Sequence, residues 1–283
     1  MVYGRNMSDT IESGLLILDK PAGPTSRAVV EDVKRMLSVK TAGHVGTLDP
    51  NATGVLPILL GRATRVAPAL ERSDKTYVAT IHFHLDIGEA ELKEVLSKFI
   101  GTILQKPPVK SAVARRERER KVYSIDILCK DGKDVRLRVA CEAGTYIRKL
   151  ASDVGLLVGG AHLKDLRRTR AGPFDDKQAH TIEELRSAVE TNSPLRAGND
   201  TNSPLSRIIL PVERAVSNLP KVVVNDSSTA KVMNGSPLFA ADISRIDDFD
   251  DDALVAILSS KGELLALGKR KGKAIRIDRV LKA

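Results

Sequence analysis

The sequence predicts a mixed α+β fold followed by a small β-rich domain. Apolar residues alternate with polar ones in some segments and recur at helical spacing in others. A hairpin is also expected, and this combination argues against a purely parallel sheet. The chain has 283 residues and is 42% hydrophobic, which is enough for one or two domains with sizeable cores.

The first elements are a strand, a helix and an irregular loop. Residues 15–19 (LLILD) form an apolar run that stops at a turn dense in proline and glycine, as strands do. Ser26 is placed as a helix N-cap, because apolar residues recur at helical spacing after it. Residues 43–54 (GHVGTLDPNATG) contain three glycines and a proline without an apolar period, so a loop is expected there.

The next elements follow from the same patterns. Residues 75–84 alternate in polarity and predict a strand, with Tyr77 on its apolar face. An aromatic side chain on such a face is usually part of a core, with its hydroxyl paired. Helical spacing predicts helices at about 89–99 and at about 145–157.

A hairpin is expected over residues 122–140, turning at Asp131–Gly132. In that register Cys129 faces Asp134 and not Cys141. The two cysteines are therefore expected to be free thiols in a reducing compartment, which excludes a disulfide scaffold and a cysteine zinc site.

The composition divides the chain into three parts. Residues 1–190 are expected to form one larger domain and residues 207–283 a small β-rich domain. Between them, residues 191–206 include the repeated sequence TNSPL and predict a flexible linker or a surface insertion.

The charge of the chain favours a polyanionic partner. Lys and Arg number 45 against 36 Asp and Glu, for a net charge of +9. Basic residues cluster near 109–121 and again at 167–170, so these segments are expected to contact phosphates rather than form merely solvated faces. No run is long and apolar enough to span a membrane, so a cytoplasmic protein is expected.

Two residues are candidates for chemistry on local grounds. Asp49 lies in a glycine-rich loop before an apolar run, where it could be presented to a pocket or could simply start a turn. Arg148 lies at the start of a predicted helix, close to its apolar face. An arginine in such a place either holds an anionic partner or forms a surface salt bridge.

A metal site is not favoured. His82 and His84 share one strand face with Asp86, but nothing nearby supplies the surroundings that metal sites have.

The segment GHVGTLDPNATGVLPILLGRATR (43–65) resembles the signature loop of RNA pseudouridine synthases of the tRNA pseudouridine synthase B type. Four more blocks of that family occur in order: LDKPAGPTS (18–26), KTYVA (75–79), GTYIRKLASDVG (144–155) and AHLKDLRRTRAGPF (161–174). Residues 107–128 are similar to the branch that includes dyskerin and its archaeal counterpart. The last 65 or so residues resemble a PUA domain, a small RNA-binding pseudo-barrel.

The resemblance implies a pseudouridine synthase fold, a mixed sheet with flanking helices, that isomerises uridine in RNA without a cofactor or a metal. Asp49 aligns with the catalytic aspartate of the family, Arg148 with the arginine paired to it, and Tyr77 with the tyrosine that packs on the uracil. His44, Tyr146 and Leu166 match other residues of the substrate pocket. A pocket that excludes water would raise the pKa of a carboxyl, so we expect a buried Asp49 that Arg148 keeps ionised.

The RNA backbone is then expected to contact basic side chains, which are Lys110, Arg115, Arg116, Arg118, Arg120, Lys121, Arg167 and Arg168.

The resemblance also implies partners. The dyskerin-like block favours the catalytic subunit of an H/ACA particle that acts on rRNA or tRNA with a guide RNA and small accessory proteins. A guide-free tRNA enzyme and a non-catalytic RNA-binding subunit are the alternatives, and the presence of Asp49, Tyr77 and Arg148 argues against the latter. Two departures from the family are a short segment before LDKP and the TNSPL insertion; neither touches the expected pocket.

Overall fold

The computed structural model describes residues 11–106, 116–191 and 203–281. These residues form two sheets with helices packed against them. The strands of the larger sheet are β1 (Ser13–Lys20), β2 (Ala42–His44), β3 (Thr53–Gly61), β4 (Lys75–Phe83), β5 (Gly101–Gln105), β6 (Arg118–Asp131), β7 (Asp134–Cys141), β8 (Ala161–Ala171), β9 (Phe174–Asp175) and β10 (Ile209–Leu210). The strands of the smaller sheet are β11 (Lys221–Val224), β12 (Ile243–Ile246), β13 (Leu254–Leu258), β14 (Leu264–Lys271) and β15 (Ala274–Val280).

The helices in the described residues are mostly short. They are α1 (Ser26–Met36), α2 (Ala67–Glu71), α3 (Glu89–Ser97), α4 (Ile147–Leu156), α5 (Ile182–Thr191), α6 (Pro204–Ile208) and α7 (Thr229–Met233). None of these helices has the length and apolar character needed to cross a membrane. The mixed α+β fold expected from the sequence is confirmed.

The larger sheet consists of two antiparallel halves that meet at one parallel pair. Its order is β10-β1-β3-β8-β4-β7-β6-β5, and β3 and β8 are the parallel neighbours. At this junction Gly54 has a φ of +102°, and a Cβ there would lie 2.2 Å from the carbonyl oxygen of Arg168. Only glycine allows the two strands to approach this closely.

Each half of the sheet has its own core. Helices α1, α5 and α6 pack against β1 and β3, while α3 and α4 pack against β4 and β7. The alternation predicted for β4 is confirmed, since Lys75, Ala79, Ile81 and Phe83 are buried and the residues between them are less so.

Two local predictions near the N-terminus need correction. Thr25 caps α1, since its hydroxyl oxygen accepts from the Ala28 N–H at 3.1 Å; Ser26, the predicted cap, is the first helical residue. The expected loop is also shorter than residues 43–54. Its first two residues belong to β2, which pairs with β3, and its last two belong to β3.

The hairpin is confirmed, but its register differs from the expected one. Asp131 pairs with Asp134, so the turn is Gly132–Lys133, and Cys129 faces Arg136. The turn is one residue later than predicted, and a bulge follows Ile127. Both cysteines are free thiols, Cys141 buried and Cys129 exposed.

The division of the chain into three parts stays a prediction. Residues 192–202, most of the expected linker, lie outside the described residues. Ile209 and Leu210 pair with Leu16 and Leu15 of β1, so the chain rejoins the larger sheet after residue 206 and enters the smaller one at Lys221.

Candidate active site

Asp49 lies in the short loop between β2 and β3, and a buried serine holds that loop. The Ser26 hydroxyl donates to the Leu48 carbonyl oxygen at 2.9 Å and accepts from the Leu48 N–H at 2.9 Å. Ser26 is 1% exposed. Because both backbone groups of the preceding residue are bonded, the backbone that leads into Asp49 has one defined path.

A buried lysine holds the other side of the loop. Lys20 is fully buried, and its ammonium donates to the carbonyl oxygens of Pro21 at 2.8 Å, Pro50 at 2.9 Å and Ala52 at 2.9 Å. Burial lowers the pKa of Lys20, and the nearby Asp49 carboxylate opposes that effect. Ser26 and Lys20 together fix the backbone before and after Asp49.

The Asp49 side chain forms an ion pair with Arg148. The distance from Arg148 Nη2 to Asp49 Oδ2 is 2.7 Å, so the structure brings the two candidate residues together. Arg148 is the second residue of α4, whose buried face includes Ile147 and Leu150. The Asp49 side chain is 48% exposed and that of Arg148 is 58% exposed. The expected burial of the acid is therefore wrong for the free protein, because residues 49–51 of the loop are all exposed.

Tyr77 and Leu166 lie where the two cores of the larger sheet meet. Both are half-buried and pack against the α1 side and the α4 side. Burial raises the pKa of Tyr77, the Arg168 guanidinium lowers it in part, and the Asp49 carboxylate is close enough to raise it further. The tyrosine hydroxyl is therefore protonated at neutral pH.

Arg168 is the fully buried arginine of this junction, with a residue exposure of 1%. Its Nε donates to the Val55 carbonyl oxygen and its Nη2 to the Gly46 carbonyl oxygen, each at 2.8 Å. The expectation that Arg168 contacts RNA backbone is wrong in this structure. The guanidinium donates its hydrogen bonds to two backbone carbonyls inside the sheet, and a ligand on the surface cannot reach it.

His44 and Tyr146 lie at the ends of the elements that flank the loop. His44 ends β2, and its Nδ1 is buried without a hydrogen-bond partner among the described residues. Burial lowers the pKa of His44, and the Arg168 guanidinium lowers it further, so the ring is neutral at pH 7. Tyr146 occupies the N-cap position of α4 and is half-buried.

The histidines at the end of β4 and just after it contact other side chains and not this site. His82 Nδ1 lies 2.6 Å from Asp134 Oδ1, His84 Nε2 lies 3.2 Å from His162 Nδ1, and Asp86 accepts from Lys130 at 2.8 Å. No group of three or more His, Cys, Asp or Glu side chains in the described part of the chain is arranged to hold a metal ion.

The remaining basic residues fall into different environments. Lys110 and Arg115 lie outside the described residues, while Arg116 and Lys121 are exposed and Arg118 is half-buried.

Two arginines that were expected to contact RNA, Arg120 and Arg167, form hydrogen bonds with other groups of the protein. Arg120 Nε donates to the Gly144 carbonyl oxygen at 3.1 Å, and Arg167 forms a bidentate pair with Asp19 at 2.8 and 2.9 Å.

Sequence reasoning assigned Ser26 as a helix cap and gave no supporting role to Lys20, Ser26 or Gln105. The Gln105 side chain is 2% exposed and bonds the backbone of Tyr146. Nothing local marks Gln105. Nothing local marks Lys20 either, because lysine side chains are rarely fully buried.

Comparison with known proteins covers almost the whole chain. Residues 34–147 match the family model for the TruB family pseudouridylate synthase N-terminal domain, residues 148–217 that for the tRNA pseudouridylate synthase B C-terminal domain, and residues 220–281 that for the PUA domain. A probable tRNA pseudouridine synthase B of Methanopyrus kandleri is 45% identical over 269 residues, which span 94% of this chain and 78% of that protein.

Solved structures agree with these matches. The crystal structure of a Cbf5-Nop10-Gar1 complex superposes with a TM-score of 0.89 and 42% identity, covering 98% of this chain and 88% of the other. The structure of an H/ACA RNP bound to a substrate RNA containing 2′-deoxyuridine gives a TM-score of 0.87 and 40% identity, covering 99% and 88%.

Proposed function

Because the chain belongs to the TruB family of pseudouridylate synthases, we propose that it isomerises its target uridines as the catalytic subunit of an H/ACA guide RNA–protein particle. Pseudouridine synthase activity is the property of the family, and the chain carries a PUA domain. The particle is proposed because the similar structures, over nearly their full length, are a Cbf5-Nop10-Gar1 complex and an H/ACA RNP with substrate RNA. The substrate is an rRNA or tRNA, and accessory proteins of the Nop10 and Gar1 kind complete the particle.

The observation that carries the catalytic part of the proposal is the ion pair of Asp49 and Arg148 at 2.7 Å. In the reaction, the N1–C1′ bond of uridine breaks, a C5–C1′ bond forms, the C5 proton leaves and N1 gains a proton. We assign Asp49 the role of the carboxylate that attacks the nucleoside or stabilises positive charge on the ribose. Arg148 keeps that carboxylate ionised and oriented.

The surrounding side chains suit a flipped-out base. A uridine must leave its stack before it can reach Asp49, at a cost of about a few kcal/mol. Tyr77 offers an aromatic surface to replace the lost stacking, and Leu166 and Tyr146 add to the pocket. The half-exposed Asp49 of the free protein becomes covered when the RNA lies over it, and the exclusion of water keeps the detached base in place.

RNA backbone contacts are proposed for a smaller set of residues than the sequence suggested. Arg116 and Lys121 are exposed and not tied to a buried carbonyl, and they lie at the start of the β6 strand near residue 118. Lys110 and Arg115 belong to the same basic segment and remain part of the proposal. His44, with a buried Nδ1 that lacks a partner among the described residues, is proposed to face the flipped nucleotide.

The experiment measures tritium release from RNA labelled at C5 of uridine, because pseudouridine formation expels that hydrogen. Purified protein is given a guide RNA with its complementary substrate, with and without the accessory proteins, and separately a tRNA transcript without a guide. We expect release that depends on the guide, none with Asp49→Asn, and unchanged RNA binding in that variant. Full activity on the tRNA alone would contradict guide dependence.

A guide-free tRNA enzyme is the second candidate, favoured by the name of the Methanopyrus kandleri relative, a probable tRNA pseudouridine synthase B. Release from the tRNA transcript at the rate seen with a guide would support it. Absence of release from both RNAs would instead support a non-catalytic RNA-binding subunit. A cytoplasmic location is proposed with either enzyme, because relatives such as that of Methanopyrus kandleri come from cells whose RNA is made in the cytoplasm.

A further inference from the structure

The side chain of Gln105 makes a two-point contact with the backbone of Tyr146. Its Nε2 donates to the Tyr146 carbonyl oxygen at 3.1 Å, and its Oε1 accepts from the Tyr146 N–H at 2.9 Å. Gln105 is 2% exposed and ends β5, at the edge of the larger sheet. A buried amide that satisfies both backbone groups of one distant residue fixes that residue in position and orientation.

Tyr146 is the residue at which α4 begins. It holds the N-cap position without a side-chain cap hydrogen bond, and its carbonyl oxygen also accepts from the Leu150 N–H at 3.0 Å. Arg148 follows two residues later, in the first turn of the helix. Because the first turn of a helix has few internal hydrogen bonds, its position depends on contacts from outside, and here Gln105 supplies them.

A second side chain holds the same loop from the next strand. Arg120 on β6 donates from Nε to the Gly144 carbonyl oxygen at 3.1 Å, and its Nη1 lies 3.4 Å from Glu142 Oε1. Gly144 has a φ of +82°, and a Cβ there would lie 3.1 Å from the Arg120 guanidinium. The loop before α4 is thus tied at Gly144 and at Tyr146 to the β5–β6 strand pair.

We infer that Gln105 is a positioning residue of the active site: it fixes the start of α4 through the Tyr146 backbone and so places the Arg148 guanidinium on Asp49. Arg120 supports the same placement through Gly144. The inference rests on the proposed function, because it assigns Gln105 a part in the reaction of Asp49. Gln105 itself contacts the Tyr146 backbone and not Asp49, so any effect on the reaction passes through the position of Arg148.

The test replaces Gln105 by methionine, which keeps the length of the side chain and removes both hydrogen bonds. Single-turnover tritium release at saturating guide and substrate RNA is expected to fall about ten- to hundredfold, the loss that a misplacement of about 1 Å causes. The dissociation constant for RNA is expected to stay within about twofold, because no RNA contact is removed. Thr145→Val is the matched control, since it removes a hydrogen bond to the Glu142 carbonyl in the same loop but none to Tyr146.

A double-mutant cycle separates positioning from general destabilisation. In an Arg148→Lys background, where the geometry of the pair is already lost, Gln105→Met is expected to cause almost no further loss of rate. Three results would each overturn the inference. The first is a double variant whose loss of rate equals the product of the two single losses. The others are a Gln105→Met rate within about threefold of wild type, and a loss in Thr145→Val equal to that in Gln105→Met. If Gln105→Met does not fold, Arg120→Met takes its place in the cycle, with the same outcomes.

Hydrogen exchange of the Tyr146 amide gives a readout that does not need activity. Exchange is expected to be faster in Gln105→Met than in wild type and unchanged in Thr145→Val. Unchanged exchange in Gln105→Met would overturn the inference even if the rate falls. If wild-type protein releases no tritium from any RNA, the proposed function fails, and this exchange still decides whether Gln105 holds the helix start.

Discussion

Replacing Arg168 by methionine is expected to destabilise the fold strongly and to leave the salt dependence of RNA binding unchanged. Methionine keeps most of the apolar stem, so the loss comes from two carbonyls, the buried one of Val55 and the partly buried one of Gly46, that each lose a donor at 2.8 Å. An unsatisfied buried acceptor costs about 1–3 kcal/mol, and the partly buried Gly46 carbonyl loses less than the Val55 carbonyl, so the two together cost about 2–4 kcal/mol. That is a large part of the free energy of unfolding of a typical domain, which is about 5–15 kcal/mol.

The neighbouring arginine is the matched control. Arg167 makes a bidentate pair with Asp19, but its side chain is 35% exposed and that of Asp19 is 28% exposed. Arg167→Met is therefore expected to cost about 1 kcal/mol or less. Urea unfolding followed by circular dichroism measures the free energy of unfolding of both variants. The shift in the urea midpoint is converted to free energy with the same m-value for all proteins. An Arg168→Met protein within about 1 kcal/mol of wild type, or one with a smaller salt dependence of RNA binding, would refute the reasoning.

The other predictions concern the Asp49 loop, the basic segment and a buried lysine. Ser26→Ala frees both backbone groups of Leu48, so the single-turnover rate should fall about tenfold or more with little change in RNA affinity; a rate near wild type would show that the loop is held without it. Arg116→Ala and Lys121→Ala should each reduce the slope of log affinity against log salt by about 0.7, and an unchanged slope would remove that residue from the interface. Folding lowers the pKa of Lys75 from 10.5 to about 8, mainly by burial, so the unfolded chain binds more protons between those values. The stability of wild type relative to Lys75→Met should therefore rise with pH across that window by up to about 3 kcal/mol. Urea titrations of the two proteins at a series of pH values measure this difference, and a difference that stays constant with pH would contradict the prediction.

The sequence was informative where a pattern depends on neighbours along the chain. The alternation of β4 predicts which residues face the core, because side chains on a strand point to opposite faces in turn. The ordered family blocks pointed to Asp49 and Arg148, which the structure places 2.7 Å apart. Their catalytic roles stay predictions.

What could not be predicted depends on pairing between distant segments. Arg167 and Arg168 are adjacent and alike in sequence, and the parallel contact of β8 with β3 decides which of them is buried. The strand partner of Cys129 could not be predicted for the same reason. The turn lies one residue later than expected and a bulge follows Ile127, so Cys129 pairs with Arg136 and not with Asp134. Asp49 was expected to be buried in a pocket that excludes water, whereas the structure leaves its side chain 48% exposed, because exposure depends on how distant segments pack around the loop.

The two sheets are joined by more than the chain that connects them. Leu264 and Leu267 of β14 belong to the same apolar cluster as Leu15 of β1 and Val55 of β3, and Arg65 Nη1 donates to the Val280 carbonyl oxygen at 2.7 Å. A shared interior of this kind resists hinge motion. An RNA held by the smaller sheet would therefore meet Asp49 at a separation set by the protein, so the number of nucleotides between the anchored end and the modified one would be constant from one RNA to the next.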